Sequence, residues 1–236
     1  MKSILKKLLL GNVSKFEKPD CNPLQKRIKN IMAIWNNDHQ DDNGIEKIVR
    51  LFLSSSQLLF PGVYIKYLIN LKGYVYRDLA LDFYVLLKVS FPLFILIYQW
   101  QHNNFIIGIM LYVLLETVLY IPTLIFASDM FSKPRSYKRS MLLLFLNYME
   151  IILAFGVLYS CDNYFNKPFG NWFDAVYFSI VTSSSIGYGD YYPITTIGKV
   201  LVSVQALLFL FFVVLFLNFF STKIKAKGYF DLDNNS

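Results

Sequence analysis

The chain has 236 residues, 55% of them hydrophobic, with 23 Lys and Arg against 16 Asp and Glu and a formal net charge of +7. A mean hydropathy of +0.41 excludes an ordinary water-soluble domain. The basic residues bunch in the tails and one connection, which is membrane-protein charge geography rather than a nucleic-acid surface, and Cys21 and Cys161 sit in unrelated contexts that imply neither a disulfide framework nor a zinc site.

At the N-terminus, Lys2, Lys6 and Lys7 surround Ile4, Leu5 and Leu8, an apolar stretch too short for a signal peptide and better read as a membrane-surface turn. Next comes an acidic knot of Asp38, Asp41, Asp42 and Glu46 beside His39. It fails the calcium-loop template, because no Asp stands five places before Gly44 and no Glu six after it, so a solvated loop is expected. Residues 51–71 are apolar but contain Ser54, Ser55, Ser56, a Pro61-Gly62 break and Lys66. An interfacial or re-entrant hairpin suits them better than a span.

A membrane-crossing helix needs roughly 20 mostly apolar residues. Residues 82–100, 104–127, 141–159 and 197–220 meet that demand. Lys133, Arg135, Lys138 and Arg139 lie between the second and third of these, whereas the short connection around residues 101–103 carries no basic residue. The first connection is therefore expected on the cytoplasmic side, along with both termini and Lys223, Lys225 and Lys227. The first two spans lack the repeated Arg of a voltage sensor and offer only Lys88.

Lys88, Glu116 and Glu150 lie inside spans, roughly 9, 16 and 13 Å from the cytoplasmic ends at 1.5 Å per residue. An unpaired charge at that depth is costly, so Lys88 is expected to pair with Glu116 or Glu150, with snorkelling of Lys88 to the interface as the alternative. Two acids for one base leave room for pH sensitivity.

Between the third and fourth spans, residues 172–183 have helix-compatible spacing, Asp174 stands in the first turn where the dipole favours an acid, and Gly187 is expected to end any continuation. The stretch that follows suits neither helix nor lipid-facing loop. Non-helical backbone at membrane depth is tolerated only where protein buries it or where it lines a water-filled path. Gly187-x-Gly189 lacks the third glycine and the context of a dinucleotide fingerprint.

Here Thr182-Ser-Ser-Ser-Ile-Gly-Tyr-Gly-Asp190, preceded by Phe173-Asp-Ala-Val-Tyr-Phe-Ser179, resembles the pore helix and selectivity filter of potassium channels. The resemblance covers about residues 140–221 and includes Tyr192-Pro193 and Gly198-Lys199. It implies an all-α integral membrane protein with four transmembrane helices per chain plus a re-entrant pore helix and filter loop. Four copies would assemble as a homotetramer in membrane lipid, in the plasma membrane or a bacterial inner membrane.

The ion carried would be K+, with no organic cofactor and no nucleic-acid partner. Backbone carbonyls of Ser185, Ile186, Gly187 and Tyr188 would replace the ion's water, supported by Gly189 and Asp190, and the Ser185 hydroxyl would add an innermost ring of oxygens. Gly187 and Gly189 would supply the alternating backbone handedness. The division implied is 1–80 as a cytoplasmic or interfacial region, 81–131 as a helix pair, 132–221 as the pore domain and 222–236 as a short tail, so intracellular control would come through residues 1–80, a partner or lipid.

The sequence departs from the family in several places. Ser185 and Ile186 replace the usual Thr and Val, and Tyr177 and Phe178 stand where Trp often packs behind the filter. The family's glycine hinge falls on Phe209, and Leu210, Val213 and Leu217, at i, i+3 and i+7, are instead expected to form a hydrophobic gate. Asn218 is a polar residue of that helix's last turns and could pair with a neighbouring helix. Tyr192 at the outer mouth would either face a quaternary ammonium ion or anchor at the interface. The competing readings are a weakly selective cation channel and a non-conducting membrane subunit or scaffold. An enzyme is not expected, since His39 and His102 are isolated and no set of nucleophile, base and orienter emerges.

Overall fold

The computed structural model describes residues 22–38, 43–72, 76–127 and 137–221. Expectations placed on Lys2, Lys6, Lys7, Cys21, His39, Asp41, Asp42, Lys133, Arg135, Lys223, Lys225 and Lys227 lie outside the described residues, as does the side chain of Asn218.

Eight α-helices are described. Helix α1, Pro23–Asn36, starts where Pro23 suits the first turn and Asn22 Oδ1 accepts from Leu24 N at 3.2 Å; it stops at Asn37, in the left-handed conformation with φ 57°. Helix α2, Gly44–Ser56, leads through a 3-10 turn, Gln57–Leu59, into α3, Pro61–Lys72. Phe60 is extended because the ring of Pro61 disfavours helical backbone in the residue before it, and the chain bends by 60° there. The bent pair has the combined length and composition of a broken span or a re-entrant loop.

Among the described residues four helices are long and apolar enough to cross a membrane: α4 (Arg77–Ile97), α5 (Asn104–Phe126), α6 (Tyr137–Tyr159) and α8 (Thr196–Ser221). Between the last two lies α7, Trp172–Ser183, with 12 residues too short to cross. The chain is an all-α membrane protein. Two span limits differ from expectation. Helix α4 begins at Arg77 rather than residue 82 and ends at Ile97, since Gln99 turns left-handed at φ 56° and places Trp100 in a 3-10 turn. Helix α6 begins at Tyr137 rather than residue 141. Hydropathy marks the apolar run, but both helices continue past it to an ion pair: Arg139 Nη2 lies 2.6 Å from Asp82 Oδ1 and 2.7 Å from the Asp78 carbonyl.

Helix α4 packs along α6, α6 packs on α7, and α5 touches both α6 and α8. One core therefore runs through α4 to α8, and a small separate cluster joins Ile34, Leu51 and Ala127. The main core joins Ile95 of α4 and Met110, Leu114 and Ile121 of α5 to Ile151 and Phe155 of α6, Phe178 of α7, and Phe212 and Leu215 of α8. Val200, Val204, Leu207, Leu210, Val214 and Leu217 leave much of the other surface of α8 apolar and exposed.

Candidate functional site

The site grows from the two ends of α7. At its start Asn171 Oδ1 accepts from Phe173 N at 2.8 Å and Asp174 N at 3.2 Å, while Asp174 Oδ2 accepts from Asn171 N at 3.2 Å and Gly170 N at 2.8 Å. This reciprocal capping box gives Asp174 a geometric role beyond its favourable place in the dipole. At the other end the hydroxyls of Ser183 and Ser184 donate to the Ile180 carbonyl at 3.0 and 2.6 Å, competing with continuation of the helix.

The break expected at Gly187 comes two residues earlier. Ser185 already takes φ 56°, followed by φ 59° at Gly187 and φ 80° at Gly189, while Ile186 and Tyr188 keep negative φ. Left-handed residues thus alternate with ordinary ones along the stretch expected to carry the carbonyls, a pattern that aims successive carbonyls to one side. For an L-residue such as Ser185 the left-handed conformation costs roughly 1–2 kcal/mol, so the local hydrogen bonds must hold it. They do so through Ser185 N to Thr182 O at 3.1 Å and Ile186 N to Val181 O at 3.1 Å. Residues 185–190 are all exposed.

The chain beyond residues 185–190 is clamped to the loop before α7. Tyr192 N donates to Asn166 Oδ1 at 3.0 Å, Asn166 N donates to the Tyr192 carbonyl at 3.1 Å, and Asn166 Nδ2 reaches the Asp190 carbonyl at 3.4 Å. An isolated bridge pairs Phe165 with Pro193. Where Trp often stands in the resembling family, Tyr177 is half-buried with the Asp190 carboxylate nearby. Phe178 fills an aromatic cluster, its ring centroid 4.7 Å from Phe165 and 5.1 Å from Tyr159. Tyr192 is exposed, and Lys167 Nζ lies 4.4 Å from the centroid of the Tyr191 ring.

Behind α7 lies a neutral polar network that sequence reasoning missed. Tyr159 Oη donates to Gln205 Oε1 at 2.5 Å; Gln205 Nε2 donates to the Ser179 carbonyl at 3.0 Å and to Ser179 Oγ at 2.7 Å; Ser179 Oγ donates to the Ile152 carbonyl at 2.7 Å. All three side chains are buried, so the network ties α6, α7 and α8 together in low dielectric. A lone Gln in the apolar run of α8 was the available signal.

On α8 itself, Leu210, Val213 and Leu217 are exposed, while Phe212 is buried 4.8 Å from the ring of Tyr148 and Phe209 lies 6.3 Å from that ring.

The structure brings the three intramembrane charges together. Lys88 Nζ lies 3.3 Å from Glu150 Oε2 and 3.9 Å from Glu116 Oε2, and Lys88 is buried rather than snorkelled. Thr117 completes the cluster: its hydroxyl accepts from Lys88 and donates to Glu150 Oε2 at 2.8 Å. Glu116 is further held by Tyr84 Oη at 2.5 Å and by the backbone N–H of Gly62 at 3.1 Å. A Cβ at residue 62 would stand 2.5 Å from Glu116 Oε1, which explains the glycine there.

Among the described residues no group of three or more His, Cys, Asp and Glu is placed to hold a metal ion. Cys161, just past α6, is a free thiol whose pKa is pushed up by burial and by the nearby Asp162 carboxylate.

Residues 147–226 match the family model described as "Ion channel". The matched segment begins within α6 and takes in α7, residues 185–190 and α8, so this part of the chain is similar to an ion channel domain and supports ion channel activity. No curated protein and no solved structure matches the chain significantly.

Proposed function

We propose that the protein is a potassium-selective channel, a homotetramer conducting K+ passively down its electrochemical gradient. The observation that carries this reading is the left-handed alternation at Ser185, Gly187 and Gly189, set between α7 and α8 inside the channel-like segment. Stripping water from a monovalent cation demands replacement oxygens, and backbone carbonyls supply them without the trap of a full negative charge. One chain contributes one such strand, so a ring of carbonyls requires four chains around an axis. The exposure of Ile186, Tyr188 and the face of α8 bearing Leu210, Val213 and Leu217 suits contact with further copies and a central path.

In this reading residues 132–221 are the pore domain, residues 81–131 a helix pair docked on it, residues 1–80 a cytoplasmic or interfacial region and residues 222–236 a short tail, with both termini cytoplasmic. Ser185 Oγ adds the innermost oxygens, Tyr177 and Asp190 brace the filter from behind, and Tyr192 borders the outer mouth.

The test is reconstitution into liposomes with a potassium gradient, reading potassium flux, then sodium flux, with barium as blocker. Barium-sensitive potassium flux without sodium flux is expected. Equal fluxes of the two ions overturn the selectivity, and no flux across a range of pH and lipid composition overturns conduction.

A further inference from the structure

Helix α2 and the 3-10 turn after it are polar on the side turned toward the protein and apolar on the side turned away. Arg50, Ser54, Ser56 and Gln57 are buried, at 1–8% exposure, whereas Ile45, Ile48, Phe52 and Leu59 are 60–81% exposed. The spacing of those four puts them on one helical face, on which Ser55 is the polar member. A helix lying against water shows the reverse order, with its apolar side inward. The buried hydroxyls also bond within the helix, Ser54 Oγ to the Arg50 carbonyl at 2.5 Å and Ser56 Oγ to the Leu53 carbonyl at 2.8 Å, as a segment without water must.

The depth of this face follows from what α2 and α3 touch. Tyr112 Oη donates to the Leu59 carbonyl at 2.6 Å, and its ring centroid lies 5.6 Å from that of Phe60. Tyr112 stands in α5 roughly 12 Å from Asn104 and 21 Å from Phe126, at about 1.5 Å per residue, so the bend reaches well into the hydrocarbon. Leu51 instead packs with Ile34 and Ala127, where α5 ends, so α2 enters from that side. Helix α3 returns to it. Gly62 N meets Glu116, Lys66 borders the same small cavity as Tyr120 farther along α5, and α4 starts at Arg77, too soon after Lys72 for the chain to cross about 30 Å of hydrocarbon. Since α4 and α5 are consecutive spans, α4 starts on the side where α5 ends.

We propose that α2 and α3 form a wedge sunk partway into one leaflet, with Ile48, Phe52 and Leu59 as a contact surface for lipid acyl chains. Glu46 and Lys47, in the first turn of α2, lie at the end remote from the bend, where headgroups and water are in reach. At the bend the surface continues into Tyr112 and Leu115, exposed residues of the α5 span. The wedge hangs on Glu116, the carboxylate that also faces Lys88, so the lipid contact and the ionic cluster share a joint. Ion selectivity has no part in this contact or in its test.

The experiment uses the full chain with Cys21→Ser and Cys161→Ser, reconstituted in phosphatidylcholine liposomes. A nitroxide label is placed in turn through Ile48→Cys, Phe52→Cys and Leu59→Cys, with Leu115→Cys as the lipid-facing reference and Asn163→Cys, in the loop before α7, as the water-facing one. Collision with oxygen, which concentrates in hydrocarbon, is compared with collision with a neutral nickel chelate, which stays in water. At Phe52 and Leu59 nickel collision should be about tenfold or more below that at Asn163, and oxygen collision within about threefold of that at Leu115, because hydrocarbon excludes polar solutes. Ile48, nearer the boundary, should fall between the two references. Water-like nickel collision at Phe52 and Leu59 overturns the wedge. Low collision with both reagents means that a second copy covers the face, and overturns the lipid contact. Should a labelled variant fail to fold, the unmodified chain is irradiated in liposomes containing a phosphatidylcholine with a diazirine acyl chain. Carbene adducts on residues 48–59 are expected; adducts on residues 109–115 with none on 48–59 overturn the proposal.

Discussion

Around α6, α7 and α8 the buried polar links are neutral: Tyr159, Gln205 and Ser179 exchange hydrogen bonds of 2.5–3.0 Å that need no counter-charge. Between α4, α5 and α6 the links are ionic, with Lys88 facing Glu150 at 3.3 Å and Glu116 at 3.9 Å, and with Thr117 bridging Lys88 to Glu150. Both sets sit where water is scarce, yet their physics differs. A neutral network is limited by geometry alone, so it ties α7 to its neighbours. An ionic cluster of two acids and one base is limited by charge balance, and breaking it leaves a residue that must be neutralised or solvated. Neutral links thus lie behind α7, and the charge-dependent joint lies where α4 and α5 meet α6.

The sharpest way to break this contrast is Lys88→Met. Two carboxylates then lose their buried cation, and removal of one partner from a buried pair costs about 3–5 kcal/mol. A large fall in melting temperature in detergent is expected, partly restored by adding Glu150→Gln. A loss below about 1 kcal/mol would show that the cluster is solvated and the contrast false. Next comes Gln205→Leu, which strands the buried Tyr159 hydroxyl and removes the amide donor from Ser179 for about 2–3 kcal/mol. Adding Tyr159→Phe should recover part of that loss, since an apolar pair leaves fewer unsatisfied groups; strict additivity of the two changes would argue against a shared network.

Smallest in folding energy are changes on the exposed line of α8. Replacing Leu210, Val213 and Leu217 with Ser should leave the melting temperature within about 1 kcal/mol of its equivalent, because the side chains bury little area within the chain. Open probability in single-channel recording should rise several-fold if their apolar surfaces close the path by dewetting. No change in open probability would remove the gate from these residues.

Much of the architecture was legible because membrane insertion writes itself locally. Runs of apolar residues mark α4, α5, α6 and α8, charges interrupting those runs mark Lys88, Glu116 and Glu150, and the Ser-Ile-Gly-Tyr-Gly stretch marks where helix must give way to another backbone. Helix α7 was legible to its end residues, since a short apolar run was followed by Ser and Gly. The helix stops before Gly187 is reached, because the Ser183 and Ser184 hydroxyls compete for the Ile180 carbonyl and Ser185 already turns left-handed.

By itself, then, the sequence determined which segments can live in lipid and where the channel-like stretch lies, because hydropathy and backbone permissiveness belong to neighbouring residues. Tertiary structure alone decided which polar groups meet. Gly62 finds Glu116 across 54 residues, Tyr159 finds Gln205 across 46, and Arg139 draws α4 and α6 past their apolar limits across 57. No local pattern encodes such pairs, for each exists only after the helices have packed and left a buried donor with one acceptor in reach.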